Sequence, residues 1–198
     1  MTTAVATIDT ISPRLGTELV PDTCAGSNLR KAELAELGAF PWPAIRQAVA
    51  TAAAQHCEIC GGQGPRWPVE VHERWTYLVD DDTRHVQRLD GFVALCPACH
   101  GVKHYGYSQI REERGQLPAG STRAHLAAVN GWGEATVAAY LAAAFAEHRE
   151  RSSHSWWWDL RSLAGYGFDK WAQVFAPEQR PTPAYDFEAV RHDPGGAP

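Results

Sequence analysis

The residue types that can do chemistry in this chain are concentrated in short cysteine and histidine motifs. Cys57 and Cys60 form one Cys-x-x-Cys pair, and Cys96 and Cys99 form a second pair roughly 35 residues later. Two such pairs supply four thiolates, the number that closes a tetrahedral zinc site. The spacing therefore predicts a structural Zn²⁺ bound by Cys57, Cys60, Cys96 and Cys99.

A set of histidines accompanies these cysteines. His100 follows Cys99 directly and His104 comes one helical turn later, so both imidazoles can lie on the same face of a helix. His72 and Glu73 lie between the two cysteine pairs and are the candidates for a third ligand and for proton transfer. We therefore expect a second divalent ion, Mg²⁺, Mn²⁺, Ni²⁺ or Zn²⁺, at His72, His100 and His104, with His72 and Glu73 as catalytic groups.

Structural explanations for these residues stay open at this stage. His100 can complete a site of three cysteines and one histidine, and His72 can be a hydrogen-bonded core histidine. Glu73 can pair with Arg74 or face solvent. Cys24, the fifth cysteine, is most simply a buried thiol. The sequence contains no Walker loop, dinucleotide fingerprint or esterase elbow, so it offers no support for those functions.

Composition limits the class of protein. The 198 residues are 44% hydrophobic and 21% charged, as in an ordinary soluble globule. We found no apolar run near the roughly 18 residues of a membrane span, and no signal peptide, so we expect a cytoplasmic protein without a membrane partner. Free thiolates suit that reducing compartment. The net charge of −5 weighs against indiscriminate nucleic-acid binding but leaves room for a local basic groove.

Flanking segments must position these motifs. Residues 1–27 are expected to be irregular, and residues 28–55 to form two helices that lead into the first cysteine pair. Within residues 56–114 the pattern predicts two strands, near 68–79 and 85–95, around an aspartate-rich turn. A helix from about residue 97 to 114 follows the second pair.

The C-terminal part reads as helical from 121 to 176, with a clear amphipathic helix between about 134 and 149. The aromatic run Trp156–Trp158 is assigned to packing, with a platform for a base or a partner as the alternative. Residues 177–198 are rich in proline and glycine and are expected to be a disordered tail. The expected fold is α+β: one domain, residues 28–176, with a small zinc-stabilised ββα unit embedded among flanking helices.

The block Cys57–His104 resembles the HNH nuclease family, in the subgroup whose ββα-metal finger is clamped by a four-cysteine zinc. The strongest match is its ending, Leu95-Cys96-Pro97-Ala98-Cys99-His100-Gly101-Val102-Lys103-His104. The resemblance implies that His100 and His104 bind the catalytic divalent ion. It also implies that His72 either acts as general base on water or is the first metal ligand.

The wider chain, over about residues 17–165, is similar to bacterial proteins described as HNH endonucleases. The shared stretches are Glu18–Pro21, Cys24, Asn28–Arg30, Val71–Tyr77 and His125–Trp132. This resemblance implies hydrolysis of nucleic-acid phosphodiester bonds, with nucleic acid as partner. Two alternatives remain: a metal-dependent enzyme that acts on a small molecule with the same finger, and a non-catalytic zinc module that binds protein or nucleic acid. The oligomeric state is not indicated.

Overall fold

The computed structural model of the chain describes residues 12–24, 28–34, 37–80, 82–173 and 175–177. Most of the expected disordered tail, residues 178–198, and part of the expected irregular N-terminal segment, residues 1–11 and 25–27, lie outside this described part. Residues 12–24 follow an irregular course that ends in a 3-10 turn at Asp22–Cys24. This segment packs across the domain and takes part in the site described below.

The described residues form a mixed α+β structure, as the sequence predicted. Its strands are β1 (Glu33–Leu34), β2 (Gly38–Ala39), β3 (Glu70–Val79), β4 (His85–Leu95), β5 (Trp157–Asp159) and β6 (Phe175–Pro177). Its α-helices are α1 (Trp42–Ala52), α2 (Pro97–Lys103), α3 (Tyr105–Glu113), α4 (Ser121–Asn130), α5 (Glu134–Arg151) and α6 (Asp169–Ala172).

The central feature is the antiparallel hairpin of β3 and β4, which falls where the sequence predicted two strands. Its register pairs His72 with Val93 and Glu73 with Phe92. Because side chains alternate along a strand, neighbouring residues of β3 point to opposite faces of the sheet. The register shifts between Arg74 and Trp75, opposite Gly91, whose φ of +134° belongs to the region that favours glycine. This bulge locally increases the twist of the hairpin.

The two faces of the hairpin cover two separate hydrophobic cores. The first core lies under α2–α5 and contains Leu15, Cys57, Val93, Leu95, Cys96, Cys99, Val102, Tyr105, Leu126, Val137 and Leu141. The second lies under α1 and the C-terminal residues and contains Leu29, Ala32, Phe40, Ile45, Val71, Leu89, Phe92, Leu160, Leu163 and Trp171. A side chain on β3 therefore belongs to one core or the other according to its position in the alternation.

Two helical predictions were wrong. Residues 28–37 were expected to form a helix, but a 3-10 turn at Leu29–Lys31 is followed by β1 and β2. The side chain of Asn28 accepts a hydrogen bond from Lys31 N, which stabilises the short turn instead of a longer helix. Gly38, with φ +72°, begins β2.

The C-terminal part is also not helical throughout to residue 176. The aromatic run continues as β5, which pairs in parallel with β4, and β6 adds to β5 in antiparallel orientation. Tryptophan favours extended structure, and Trp158 Nε1 donates a 3.0 Å hydrogen bond to Gln87 Oε1 on β4. Trp156 is buried, so two of the three tryptophans have the packing role that was predicted for the run.

The helix expected over residues 97–114 is divided in two. His104, with φ −95° and ψ 47°, ends α2 and precedes α3. His104 N still donates to His100 O at 3.1 Å, so the two histidines keep the one-turn spacing that the sequence predicted.

A substitution at Gly64 tests the close packing of the loop between Cys60 and β3. A Cβ at Gly64 would lie 2.2 Å from Trp67 O and 2.6 Å from Pro97 Cδ. We expect Gly64→Ala to lower the free energy of unfolding by about 1–3 kcal/mol in urea titrations, because backbone must move to admit the methyl group. Gly106→Ala, in α3 with no atom within 4 Å of the new Cβ, is the control and should be neutral or stabilising. Equal stability of both variants would contradict the packing described.

Candidate metal centre

The four cysteines of the two pairs converge on one point, as the sequence predicted. Their Sγ atoms all lie within 4.8 Å of one another, and Cys60 Sγ is 3.6 Å from Cys96 Sγ. A tetrahedral site with Zn–S bonds of about 2.3 Å places its sulfurs roughly 3.8 Å apart, so this cluster fits a zinc ion. Three of the four cysteines are buried and Cys60 is partly exposed. The arrangement is closed, as in a structural metal site.

Local turns direct the sulfurs inwards. After Cys57 the chain reverses through Gly61, whose φ of +77° requires glycine-like freedom, and Cys57 N donates to Gly62 O at 2.9 Å. Backbone N–H groups approach the sulfurs at both pairs, with Cys60 N and Cys99 N each 3.5 Å from a cysteine Sγ. Such N–H groups stabilise thiolates, which is the state that binds a metal.

The electrostatics of this cluster favour a bound cation. Burial raises the pKa of the Cys57 thiol, but several backbone N–H groups together outweigh that effect and bring it to about 7. Burial and the neighbouring thiols raise the pKa of Cys99 and of Cys96. Four thiolates in so small a volume repel one another, and a divalent ion at their centre relieves that repulsion. His125 Nε2 lies 3.2 Å from Cys99 Sγ at the edge of this cluster.

A second cluster consists of His72, His100 and His104, whose ligand nitrogens also lie within 4.8 Å of one another. His72 comes from β3, and the other two come from α2 and its C-terminal end. The ring centroid of His72 lies 5.3 Å from that of His100 and 4.9 Å from that of His104. The alternative in which His100 completes the zinc site is wrong, because its ring belongs to this cluster.

Two glutamates contact rings of this cluster. Glu18 Oε2 lies 2.8 Å from His72 Nε2, and Glu70 Oε2 makes a short contact with His100 Nδ1. Burial raises the pKa of Glu18, but bonds and charges from His72 and Lys103 outweigh it and lower the pKa to about 2. The hydrogen bond from His100 lowers the pKa of Glu70, with a smaller contribution from the charge of Arg111.

The imidazoles of His72 and His104 are held in the neutral form. Burial, with smaller contributions from the charges of His100 and His72, lowers the pKa of His104 to about 3. Burial also lowers the pKa of His72, against the opposing effect of Glu18. A neutral imidazole has a free lone pair, so both rings are ready to bind a metal at neutral pH.

Glu73, expected as a catalytic group, lies away from the histidines. It points to the opposite face of the sheet, where Glu73 Oε1 accepts from Leu29 N and Oε2 from Trp75 Nε1, both at 2.9 Å. Loss of solvent around this carboxyl raises its pKa to about 7. The alternation along β3 explains the result, since a strand cannot direct consecutive side chains into one site.

Sequence reasoning missed both glutamates. Glu70 had a usable signal, because it lies two residues before His72 on a predicted strand and must share its face. Glu18 had none of that kind, since it is 54 residues from His72 in the sequence. Cys24 is 1% exposed, in line with a buried thiol.

No family model matches the chain, and neither a curated protein nor a solved structure matches it. Of the helices that the structure describes, none has both the length and the apolar character needed to cross a membrane. A cleft of about 310 Å³ is lined by Leu78, Asp80, Arg84, Val86, Arg88, Asp159 and Arg161, and none of the three clustered histidines borders it. The inference about function therefore rests on the two clusters themselves.

The cysteine cluster predicts one tightly held zinc per chain. Cys99→Ser should lose that zinc and most of the stability of the first core, because Cys99 is fully buried at the start of α2. Metal content by elemental analysis and the unfolding midpoint measure both effects. Cys24→Ala is the matched control and should keep a full zinc complement. Retention of zinc by Cys99→Ser would show that this cluster is not the binding site.

The raised pKa of Glu73 predicts how the stability of the protein depends on pH. Its folded pKa of about 7 exceeds the value of about 4.5 for the free side chain, so its contribution to stability is complete below pH 4.5 and is lost as the pH rises towards 7. Glu73→Gln cannot ionise, so its stability relative to the native protein should improve over this interval. Urea unfolding of both proteins at matched pH values checks this, and an unchanged difference would refute the assignment.

Proposed function

We propose that this protein is a metal-dependent hydrolase of nucleic-acid phosphodiester bonds, related to the HNH endonucleases. The observation that carries the proposal is the convergence of His72, His100 and His104 beside a separate four-cysteine cluster. Two clusters with different donors and different exposure suit one structural ion and one reactive ion. The order β3, β4, α2 supports the proposal as well, since it is the ββα order that the resemblance implies.

The exposure of the two clusters differs in the direction that this function needs. His72 is buried, but His100 and His104 are only half-buried, so the second cluster can be reached from outside on its helical side. A catalytic ion needs open positions for substrate and water, whereas a structural ion does not. The histidine cluster is therefore the better candidate for chemistry.

The donor set indicates which ions fit. Three imidazoles suit Zn²⁺, Ni²⁺ or Co²⁺, whereas Mg²⁺ prefers oxygen ligands and retains its water. Of the ions that the sequence left open, Zn²⁺ and Ni²⁺ are therefore favoured, with Mn²⁺ next. Such an ion would supply Lewis-acid stabilisation of a phosphate oxygen and make water more acidic.

The protein groups have separate tasks in this proposal. His72, His100 and His104 bind the ion through one ring nitrogen each, and Glu70 contacts His100 Nδ1 and holds that ring in place. Arg111 on α3 lies close enough to Glu70 for its charge to lower the pKa of that carboxyl. Its guanidinium adds a positive charge in the surroundings of Glu70, and such a charge suits a phosphodiester. Glu73 has no place in this set, because its carboxyl is hydrogen-bonded on the other face of the sheet.

Cleavage of supercoiled plasmid and single-stranded DNA with added Zn²⁺, Ni²⁺, Mn²⁺ or Mg²⁺ tests the proposal. We expect His72→Ala and His104→Ala to reduce the cleavage rate at least 100-fold, since each removes a ligand of the reactive ion. Gel electrophoresis of plasmid nicking gives the rate. His56→Ala is the matched control, because the side chain of His56 is exposed and contacts the backbone carbonyl of Ala54.

Full activity in both histidine variants, with folded protein and intact zinc, would refute the proposal. Equal loss in His56→Ala would show that the effect is not specific to the cluster. Activity restored by Mg²⁺ alone, and not by Zn²⁺ or Ni²⁺, would contradict the three-imidazole site.

One observation favours a small-molecule substrate as a second candidate. The charges around the histidines, Glu18, Glu70, Lys103 and Arg111, balance one another, and the chain as a whole has a net charge of −5. Long nucleic acids are bound through excess positive charge, whereas a small phosphodiester does not require it. Metal-dependent hydrolysis of bis(p-nitrophenyl) phosphate without cleavage of DNA or RNA would favour this second candidate.

A further inference from the structure

The N-terminal segment, residues 12–24, is fastened to the elements that carry the histidine cluster. Glu18 N donates to Lys103 O at 2.9 Å, next to the end of α2. Further back, Leu15 N donates to Asn130 Oδ1 at 3.2 Å, and Thr17 N donates to the hydroxyl of Tyr140 at 2.8 Å. The backbone of this segment is therefore held at Glu18 and at two residues that precede it, which gives the side chain of Glu18 a defined direction.

The carboxylate of Glu18 connects the strand and the helix of the site. Glu18 Oε2 lies 2.8 Å from His72 Nε2 on β3, and Glu18 Oε1 accepts from Lys103 Nζ on α2 at 2.6 Å. The ammonium group of Lys103 keeps an ionised carboxylate favourable at this place. A carboxylate that accepts from Lys103 acts as acceptor for His72 as well, so the hydrogen in this contact resides on His72 Nε2.

We propose that Glu18 is a positioning residue for the metal site, one that fixes His72 as its Nε2–H tautomer and leaves Nδ1 as the nitrogen that binds the ion. This inference deepens the proposed function and rests on the histidine cluster being a metal site. Glu70 acts in the same way on His100, where it occupies Nδ1 and leaves Nε2 for the ion. The two rings therefore use opposite nitrogens, each set by the carboxylate behind it.

The two glutamates differ in how they reach the site. Glu70 belongs to the same strand as His72, so the hairpin itself provides it. Glu18 comes from a segment that precedes the hairpin and both cysteine pairs. Full affinity for the second ion therefore requires that residues 12–24 are docked, whereas the cysteine cluster contains all its own ligands. A change at Glu18 should affect the second metal and leave the zinc in place.

The tautomer of His72 provides a test that is independent of catalysis. In ¹⁵N-labelled protein without the second metal, long-range ¹H–¹⁵N spectra distinguish a protonated Nε2 from a protonated Nδ1. We expect the native protein and Glu18→Gln to show Nε2–H, because the amide oxygen of glutamine can still accept. Glu18→Met, which has similar length but no acceptor, should show a mixture of tautomers.

Metal affinity is measured on the same proteins by calorimetric titration with Ni²⁺, after zinc has filled the cysteine cluster. We expect Glu18→Met to bind Ni²⁺ about 10- to 100-fold more weakly, with one zinc per chain retained, and Glu18→Gln to lose less. Glu147→Met is the matched control, since Glu147 forms an exposed ion pair with Arg151 away from the cluster. It should leave both the tautomer and the affinity unchanged.

Three results would overturn the inference: Nδ1–H in the native protein, a single Nε2–H tautomer in Glu18→Met, or unchanged Ni²⁺ affinity in that variant. If Glu18→Met does not fold, the native spectrum still decides the tautomer. The proposed function fails separately. If His104→Ala loses Ni²⁺ binding but neither it nor the native protein cleaves DNA, the metal site and the role of Glu18 stand. Only the nuclease function is then rejected.

Discussion

The convergence of four cysteines is the constraint on which the site depends. It joins the turn after α1 to the junction of β4 and α2. Along the chain, these two places are separated by the loop after Cys60 and by the hairpin of β3 and β4. A hydrogen bond from Ala94 N to Glu58 Oε2 at 2.6 Å and one from Glu58 N to Ala94 O reinforce the same junction. Because α2 starts inside this cluster, the direction of the helix, and with it the place of His100 and His104, is set there.

The same helix serves two sites with opposite requirements. Its first turn contributes Cys96 and Cys99 to a closed cluster, and the rest of the helix with its C-terminal end contributes His100 and His104, both only partly buried, to the second cluster. Burial acts differently on the two kinds of donor. It raises the pKa of the Cys96 and Cys99 thiols, so these two need a cation to become thiolates, and it lowers the pKa of His72 and His104, so these two rings stay neutral without one.

The hairpin separates this chemistry from the second core. Glu70 and His72 face α2, whereas Val71 and Glu73 face α1 and the C-terminal residues. A carboxyl on that second face has only structural partners, which for Glu73 are Leu29 N and Trp75 Nε1. The C-terminal strands extend the sheet on the side of β4 and leave β3 next to the metal site.

The sequence alone predicted the two groups of potential metal ligands, because the Cys-x-x-Cys pairs and the one-turn spacing of His100 and His104 are local patterns with few structural solutions. It also determined the hairpin, through two β-rich stretches around a turn. Only the tertiary structure decided that Glu73 lies outside the site and that Glu18 lies inside it. Glu73 lies outside because the alternation along β3 directs it to the second core. Glu18 lies inside because it contacts His72, which is 54 residues away in the sequence. Local propensity does not encode such long-range contacts. The pairing of Trp157–Asp159 with β4 is another of them, and it makes this segment a strand instead of part of a helix.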